Sequence, residues 1–87
     1  MGQPDAFTAI ADTNRRYLLE ELRRGPKTVN QLASGLPVSR PAVSQHLKIL
    51  LDSGLVSVRS QGTRRFYEIS EPGFVKLNLW LDQFWQE

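Results

Sequence analysis

The chain has 87 residues, a formal net charge of +2 and no cysteine. This length allows a single small domain over residues 1–87, which buries only about 60–65% of its unfolded chain's surface and is therefore marginally stable. The absence of cysteine excludes disulfides, thiolate metal sites and thiol redox switches. No apolar run approaches the length that spans a bilayer, and the N-terminus lacks the basic and apolar regions of a signal peptide.

The positive charge is concentrated in the middle of the chain. Residues 1–39 carry a formal charge of +1, residues 40–65 carry +4, and residues 66–87 carry −3. The distribution of charge says more about an anionic partner than the small total does, so the middle segment is the candidate contact region.

The first part of the chain predicts two helices. Pro4 and the aspartate after it mark the start of a helix over about residues 4–11. Asp12 is suited to cap a second helix over residues 13–24, which ends at Gly25 before a proline. Both segments have apolar residues at helical spacing, so each is expected to bury one face.

A helix-turn-helix is predicted over about residues 28–53. Thr28 and Gln31 form a capping box at the start of its first helix. Its second helix is SRPAVSQHLKIL, which Ser39 caps and which tolerates Pro41 in its first turn. The apolar residues of this stretch recur at i, i+4 and i+7, while its outer side carries only hydroxyls, amides and positive charge.

The pattern then changes to a period of two, which predicts a β-hairpin over about residues 55–69. The stretches LVSVRS and TRRFYEI alternate between apolar and polar residues, and Gln61 and Gly62 lie between them. Pro72 marks the start of a last helix over about residues 72–86.

In this order the elements resemble the winged helix-turn-helix of the ArsR/SmtB family of bacterial repressors. The resemblance rests on FTAIADTNRRYLLEELRRG, on TVNQLASGLPVSRPAVSQHLKILLDSGLVSVRSQGTRRFYEI and on the C-terminal helix; its most specific part is SRPAVSQHLKIL followed by GLV. The resemblance covers the chain from Phe7 onward. It is strongest to the short, metal-free members of the family, including SdpR-type autorepressors. It implies a homodimer that is mainly α with a small β-hairpin, in the order α-α-α-α-β-β-α.

One departure from the family concerns the turn between the two helices. A standard helix-turn-helix has a glycine with positive φ four residues after the position of Ala33. Here that position is Pro37, whose ring fixes φ at about −65°. We therefore expect Gly35 or Leu36 to adopt the unusual conformation.

The polar face of SRPAVSQHLKIL is the candidate for reading DNA in the major groove. Arg40 is suited to guanine O6 and N7, Gln45 to adenine N6 and N7, and Pro41 to a thymine methyl. The residues suited to phosphate contacts are Ser39, Ser44 and Lys48. The alternative is a solvated polar face, but the capped helix before it and the hairpin after it favour DNA.

The hairpin carries a second group of candidate DNA contacts. Its basic and polar residues near the tip are Arg59, Gln61, Thr63, Arg64 and Arg65. One interpretation is a charged hairpin that keeps the protein in solution. The other is a wing, with Arg64 or Gln61 in the minor groove and its neighbours on phosphates. Its proximity to the recognition helix favours the wing.

His46 is the only histidine, and it has two interpretations. It is either a metal ligand or pH sensor, or a helix residue at the core rim or near a phosphate, which also makes it a candidate DNA contact. One histidine without cysteine cannot build a closed site within a chain, so the second interpretation is favoured. The family's metal residues are also missing, because the counterpart of its Cys-x-Cys is TVNQLAS and the last helix has no histidine. We expect no metal, no cofactor and no enzymatic activity.

The last helix carries a large apolar stripe at about 100° per residue. Its members are Phe74, Leu77, Trp80, Leu81, Phe84 and Trp85. This stripe either covers its own domain or packs against an identical helix, with Phe7 and Ile10 of the first helix assisting. Two tryptophans and two phenylalanines are a large apolar surface for a terminal helix, which favours a dimer interface. Membrane-surface binding is less favoured, because the polar side of the helix is not basic.

These observations predict a homodimeric, sequence-specific transcription regulator, a repressor, that binds double-stranded DNA at a pseudo-palindromic operator. We expect it in the bacterial cytoplasm, at the nucleoid when bound, with no membrane association. Two alternatives stay open: a winged-helix module that binds proteins, and a repressor that responds to an organic ligand. The sequence identifies neither the operator nor any small-molecule effector.

Overall fold

The computed structural model describes residues 5–85. Within this range the chain forms five helices and one antiparallel two-stranded hairpin, in the predicted order α-α-α-α-β-β-α. The elements are α1 (Ala6–Ile10), α2 (Thr13–Leu22), α3 (Val29–Ala33), α4 (Arg40–Asp52), β1 (Val56–Gln61), β2 (Arg64–Ile69) and α5 (Glu71–Asp82). The predicted winged helix-turn-helix fold is therefore confirmed.

The predicted N-terminal caps are present. The Asp12 carboxylate accepts hydrogen bonds from two backbone N–H groups at the start of α2, and the Ser39 hydroxyl accepts one at the start of α4. Thr28 and Gln31 form both hydrogen bonds of a capping box. The bond from the backbone N–H of Arg15, assisted by the Arg15 charge, lowers the pKa of Asp12. This cap therefore stabilises the fold above the ordinary aspartate pKa and is lost as the pH falls through the lowered value.

Several helix ends differ from the predicted ones. α2 ends at Leu22, two residues early, because the chain unwinds before Gly25, which has φ of 143°. α5 begins at Glu71 and ends at Asp82, followed by turns over residues 83–85. The predicted limits at positions 4 and 86 lie outside the described residues.

The expectation that Gly35 or Leu36 adopts a left-handed conformation in the turn before α4 is wrong. Within residues 5–85, positive φ occurs only at Gly25, Gly54 and Gly62. The chain instead leaves α3 through right-handed turns, in which the Gly35 N–H donates to Leu32 and the next N–H donates to Ala33. A Cβ at position 35 would overlap the Tyr17 hydroxyl, so a larger residue there would require the tyrosine side chain to move.

The core lies where α2, α4 and the base of the hairpin meet. Its buried residues are Ala9, Leu18, Leu19, Leu22, Leu32, Val43, Leu47, Leu50, Leu55, Val56, Tyr67 and Leu77. The apolar side of α4 is fully enclosed, and burying three aliphatic side chains of this kind contributes roughly 1.5–3 kcal/mol each. The opposite side of α4 is thereby held toward the outside.

A backbone pairing outside the hairpin holds the wing in place. β1 and β2 pair from Val56–Ile69 to Gln61–Arg64, so the connecting turn is Gly62 and the next residue, one position later than predicted. Gly62 has φ of 65°, and the residue after it has a negative φ, as in a II′ hairpin turn. Lys27 and Tyr67 exchange two backbone hydrogen bonds of 3.0 and 2.8 Å. The wing is thus joined to the segment that precedes α3.

The close approach of α5 to the end of α4 gives a first testable prediction. A Cβ at Gly73 would overlap the carbonyl oxygen of Gly54 and crowd the backbone of Leu55. Gly73→Ala should therefore lower the free energy of unfolding by about 1–3 kcal/mol, despite alanine's better helix propensity. Chemical denaturation followed by circular dichroism measures this change. The exposed Val75→Ala is the control and should change it by less than about 1 kcal/mol; equal midpoints for both variants would contradict the prediction.

Candidate nucleic-acid interface

The outer side of α4 presents the predicted base-reading and phosphate residues to solvent. Its exposed side chains are those of Arg40, Pro41, Ser44, Gln45 and Lys48, and the capping Ser39 is also exposed. The N-terminal half of this face carries hydrogen-bonding groups of the kind that bind base edges, while Lys48 lies two turns further along. The structure therefore brings all six residues to one surface.

The two basic residues of this face differ in their surroundings. Lys48 Nζ lies 3.1 Å from Asp52 Oδ2, and its side chain is 67% exposed. Such an exposed i,i+4 pair contributes only about 0.3–0.5 kcal/mol, so Lys48 can exchange its partner for a phosphate at little cost. Among residues 5–85, Arg40 has no ion-pair partner.

His46 is half-buried and joins α4 to the elements before it. Its Nδ1 lies 3.2 Å from Arg15 Nη1. Arginine is only a donor, so Nδ1 accepts and the neutral ring carries its proton on Nε2. The same guanidinium donates to the Ala9 carbonyl at 2.7 Å and to the Thr8 carbonyl at 3.3 Å. Only the Nε2–H side of His46 is therefore suited to a DNA phosphate.

One face of the wing carries two arginines beside an aromatic ring. The guanidinium carbons of Arg59 and Arg64 lie 5.5 and 5.2 Å from the centroid of Phe66. Arg59 is further tied by a 3.2 Å ion pair with Glu68 and a 3.1 Å hydrogen bond to Gln61. Arg64 has only the ring contact among the described residues, so it is the better candidate for the minor groove.

The other face of the wing borders a cleft shared with the helix-turn-helix. Arg65 is on the same strand face as the buried Tyr67, and its guanidinium carbon lies 5.8 Å from that ring. We call the space here the basic cleft; its volume is about 380 Å³. Its main lining residues are Thr28, Gln31, Arg40, Thr63, Arg64 and Arg65. The capping-box residues were not among the predicted contacts, because their signal in the sequence is fully explained by capping.

An aromatic patch is exposed where α1 and α5 meet. The Phe7 and Trp80 rings lie 4.8 Å apart, and the Trp80 and Phe84 rings 4.7 Å apart, both edge to face. These three side chains, the aromatic patch, are 42%, 48% and 63% exposed. Leu81 and Trp85 extend the exposed surface, and Ile10 is half-buried next to the core.

The stripe predicted on α5 is divided between this surface and the core. Leu77 is 6% exposed and belongs to the core of its own domain, so it leaves too little surface to contact a partner. Phe74 is half-buried and lines an apolar groove with Leu19 and Ile69. Leu77 thus packs within its own domain, and the interface role of Phe74 stays a prediction.

Residues 5–85 contain no group of three or more His, Asp or Glu side chains arranged to hold a metal ion. None of the helices described there has the length and apolar character needed to cross a membrane.

Comparison with known proteins identifies the family. The family described as "Bacterial regulatory protein, arsR family" matches residues 12–58. The HTH-type transcriptional regulator Rv2034 of Mycobacterium tuberculosis is 52% identical over 83 residues, 94% of this chain and 78% of that protein. The transcriptional repressor SdpR of Bacillus subtilis is 32% identical over 66 residues, 76% of this chain and 73% of that protein. The homodimeric winged helix-turn-helix DNA-binding domain of Mb0332 from Mycobacterium bovis superimposes with a TM-score of 0.72 at 27% identity, covering 92% of this chain and 78% of that one. The chain thus belongs to the arsR family of bacterial regulatory proteins.

Proposed function

We propose that this protein is a sequence-specific transcriptional repressor that binds a pseudo-palindromic operator as a homodimer. One observation carries the proposal: every basic residue between positions 40 and 65 is exposed, and all five lie on α4 or the wing. Membership of a family of regulatory proteins supports it and agrees with the prediction that the chain is not an enzyme. Such a repressor acts on the chromosome, in the bacterial cytoplasm at the nucleoid.

The proposed mechanism divides DNA binding between two elements. The N-terminal half of α4 enters the major groove, where Arg40 and Gln45 read base edges. The wing reaches the adjacent minor groove with Arg64, and Lys48 contacts phosphate. Occupation of the operator then blocks polymerase sterically, which requires no catalytic step.

The homodimer is proposed to form through the aromatic patch and its neighbours on α5. The patch is a contiguous apolar surface on α1 and α5, and surfaces of this kind mark protein interfaces. The homodimeric domain from Mycobacterium bovis has the same fold. In the proposed dimer the two α4 helices bind successive major grooves, about 34 Å apart.

The direct test is selection of bound sites from random duplex DNA, followed by salt titration of the selected site. A repressor of this kind should enrich two inverted half-sites separated by about one helical turn, and log Kd should rise linearly with log salt concentration. A protein-binding module would enrich no DNA motif, and a selection without a motif would contradict the proposal.

We also predict that operator binding does not depend on metal. The proposal is supported by a single histidine, no cysteine, and no metal-ligand group among residues 5–85. Zn²⁺, Ni²⁺ or arsenite at micromolar concentration should leave operator affinity unchanged in a fluorescence anisotropy assay. A tenfold loss, about 1.4 kcal/mol, that disappears in His46→Ala would instead reveal a site built across the dimer.

A further inference from the structure

The basic cleft brings together cations from two separate elements. Arg40 approaches it from the first turn of α4, whereas Arg64 and Arg65 approach it from the wing. Among residues 5–85, no acidic side chain lines this cleft, and neither salt bridge of the domain involves these three arginines. Such a concentration of positive charge is unfavourable unless an anion neutralises it.

Neutral donors add to the charge of the cleft. Gln31 Oε1 accepts from the Thr28 backbone N–H at 2.8 Å and from the Thr28 hydroxyl at 3.3 Å. The capping box therefore holds the amide oxygen inward and leaves the amide N–H bonds as donors. Thr63 lines the cleft from the tip of the wing and carries a hydroxyl that can donate.

One wall of the cleft is preorganised. Arg65 lies over the ring of Tyr67, and Tyr67 is buried and paired through its backbone with Lys27. A guanidinium held in this way loses less conformational freedom on binding than an arginine in solvent. Fixed donors from several elements around one concave space are the features of an anion site.

We propose that the basic cleft binds a single phosphate group, with Arg65 as its charged ligand and Thr63 and Gln31 as neutral donors, while Arg40 and Arg64 at its edges strengthen the positive field. The planar donor forks of arginine match the oxygens of a phosphate. A cleft of about 380 Å³ has room for a phosphodiester and the sugars on either side of it.

The source of this phosphate follows from the position of the cleft. Adjacent grooves of a duplex are separated by one sugar–phosphate strand, and the cleft lies between α4 and the wing. The inference rests on the proposed function, because only a domain that places α4 and the wing in adjacent grooves straddles that strand. The other source of the same chemistry is a small phosphate-bearing molecule, which would compete with DNA for the cleft.

The test replaces operator phosphates, one at a time, with neutral methylphosphonates. For the natural protein, one phosphate per half-site should stand out, with a loss of affinity of about tenfold when it is neutralised. In Arg65→Gln the same replacement should cost less than about twofold, because the partner charge is already gone. Lys76→Gln removes one positive charge from exposed α5 and should retain the tenfold loss. Circular dichroism should show that both variants are folded, and Arg65→Lys should partly restore the coupling.

A second arm titrates the DNA-free dimer with inorganic phosphate and with pyrophosphate, at ionic strength held constant with chloride. Saturable amide shifts at Thr63 and Gln31 that disappear in Arg65→Gln would support the anion site. Release of operator by pyrophosphate well below the effective chloride concentration would identify a small molecule as the source. If specific operator binding persists while neither arm shows dependence on Arg65, the cleft proposal is overturned and the repressor function stands. If no operator is found at all, it is the proposed function that fails.

Discussion

Replacement of Trp80 and Phe84 together by glutamate is expected to convert the proposed dimer into folded monomers. Both side chains are exposed on the single domain, so the substitution removes little of its core. In a dimer they would be buried, and each aromatic side chain then contributes roughly 1.5–3 kcal/mol. The four new carboxylates of the dimer would also face one another. We expect dimer affinity to fall at least about 1,000-fold, the equivalent of about 4 kcal/mol.

Sedimentation velocity measures the dissociation, and circular dichroism checks that the chain is folded. The matched control is Val75→Glu with Leu79→Glu, which places the same charges on exposed positions on a different side of α5. The control should remain dimeric and bind operator. A folded dimer in the Trp80 and Phe84 variant would locate the interface elsewhere, and dissociation of the control alone would move it to the other side of α5.

Arg40→Ala is expected to reduce operator affinity by about 1–3 kcal/mol per half-site and to relax the preference at one base pair. Arg40 is exposed in the first turn of α4, and no carboxylate among the described residues neutralises it. A bidentate contact with guanine is made only at the correct base pair. Binding to scrambled DNA should therefore fall much less than binding to the selected operator.

Lys48→Ala provides the contrasting result within the same helix. Lys48 is proposed to contact phosphate, so its loss should weaken binding to every sequence alike and lower the salt slope by about one per subunit. Arg64→Ala should fall between the two, with its largest effect where a narrow minor groove flanks the half-site. Anisotropy titrations on operator and scrambled DNA at several salt concentrations separate the three.

Two results would contradict this division of roles. If Arg40→Ala loses the same affinity for operator and for scrambled DNA, α4 attracts DNA only by its charge and does not recognise the base sequence. If none of the three variants changes DNA affinity, the polar face of α4 is only a solvated surface, and the protein-binding alternative is favoured. Asp52→Asn is a useful control, because it releases Lys48 from its ion pair without changing a proposed DNA contact.

The features that the sequence predicts well are those with local causes. The caps at Asp12, Thr28 and Ser39 depend on side chains within three residues of the N–H groups they bind, so they can be read directly. The burial of one side of α4 follows from its apolar spacing. The prediction for the turn after α3 was wrong. It assumed that the left-handed residue of a standard helix-turn-helix is required here, whereas the chain turns through right-handed conformations instead.

The missed features join residues that are distant in sequence. Arg15 meets His46 across 31 positions, and Lys27 pairs with Tyr67 across a still longer separation. Neither contact has a sequence pattern of its own, since an arginine on a helix and a residue before a capping box are ordinary. The stripe on α5 shows a different limit of the sequence, because periodicity indicates that Leu77 and Trp80 are near one another without showing which of them faces the core.

The pairing of Lys27 with Tyr67 has a consequence for the DNA. Because the wing is bonded to the segment that leads into α3, it cannot swing toward or away from α4 without breaking two backbone hydrogen bonds. The separation between the two elements is therefore set by the protein, and the duplex has to adjust its own bend and groove widths to fit it. The energy of that adjustment depends on the stiffness of the base-pair steps between the two contacts. Base pairs that no side chain touches should consequently contribute to operator choice, with flexible steps preferred at those positions.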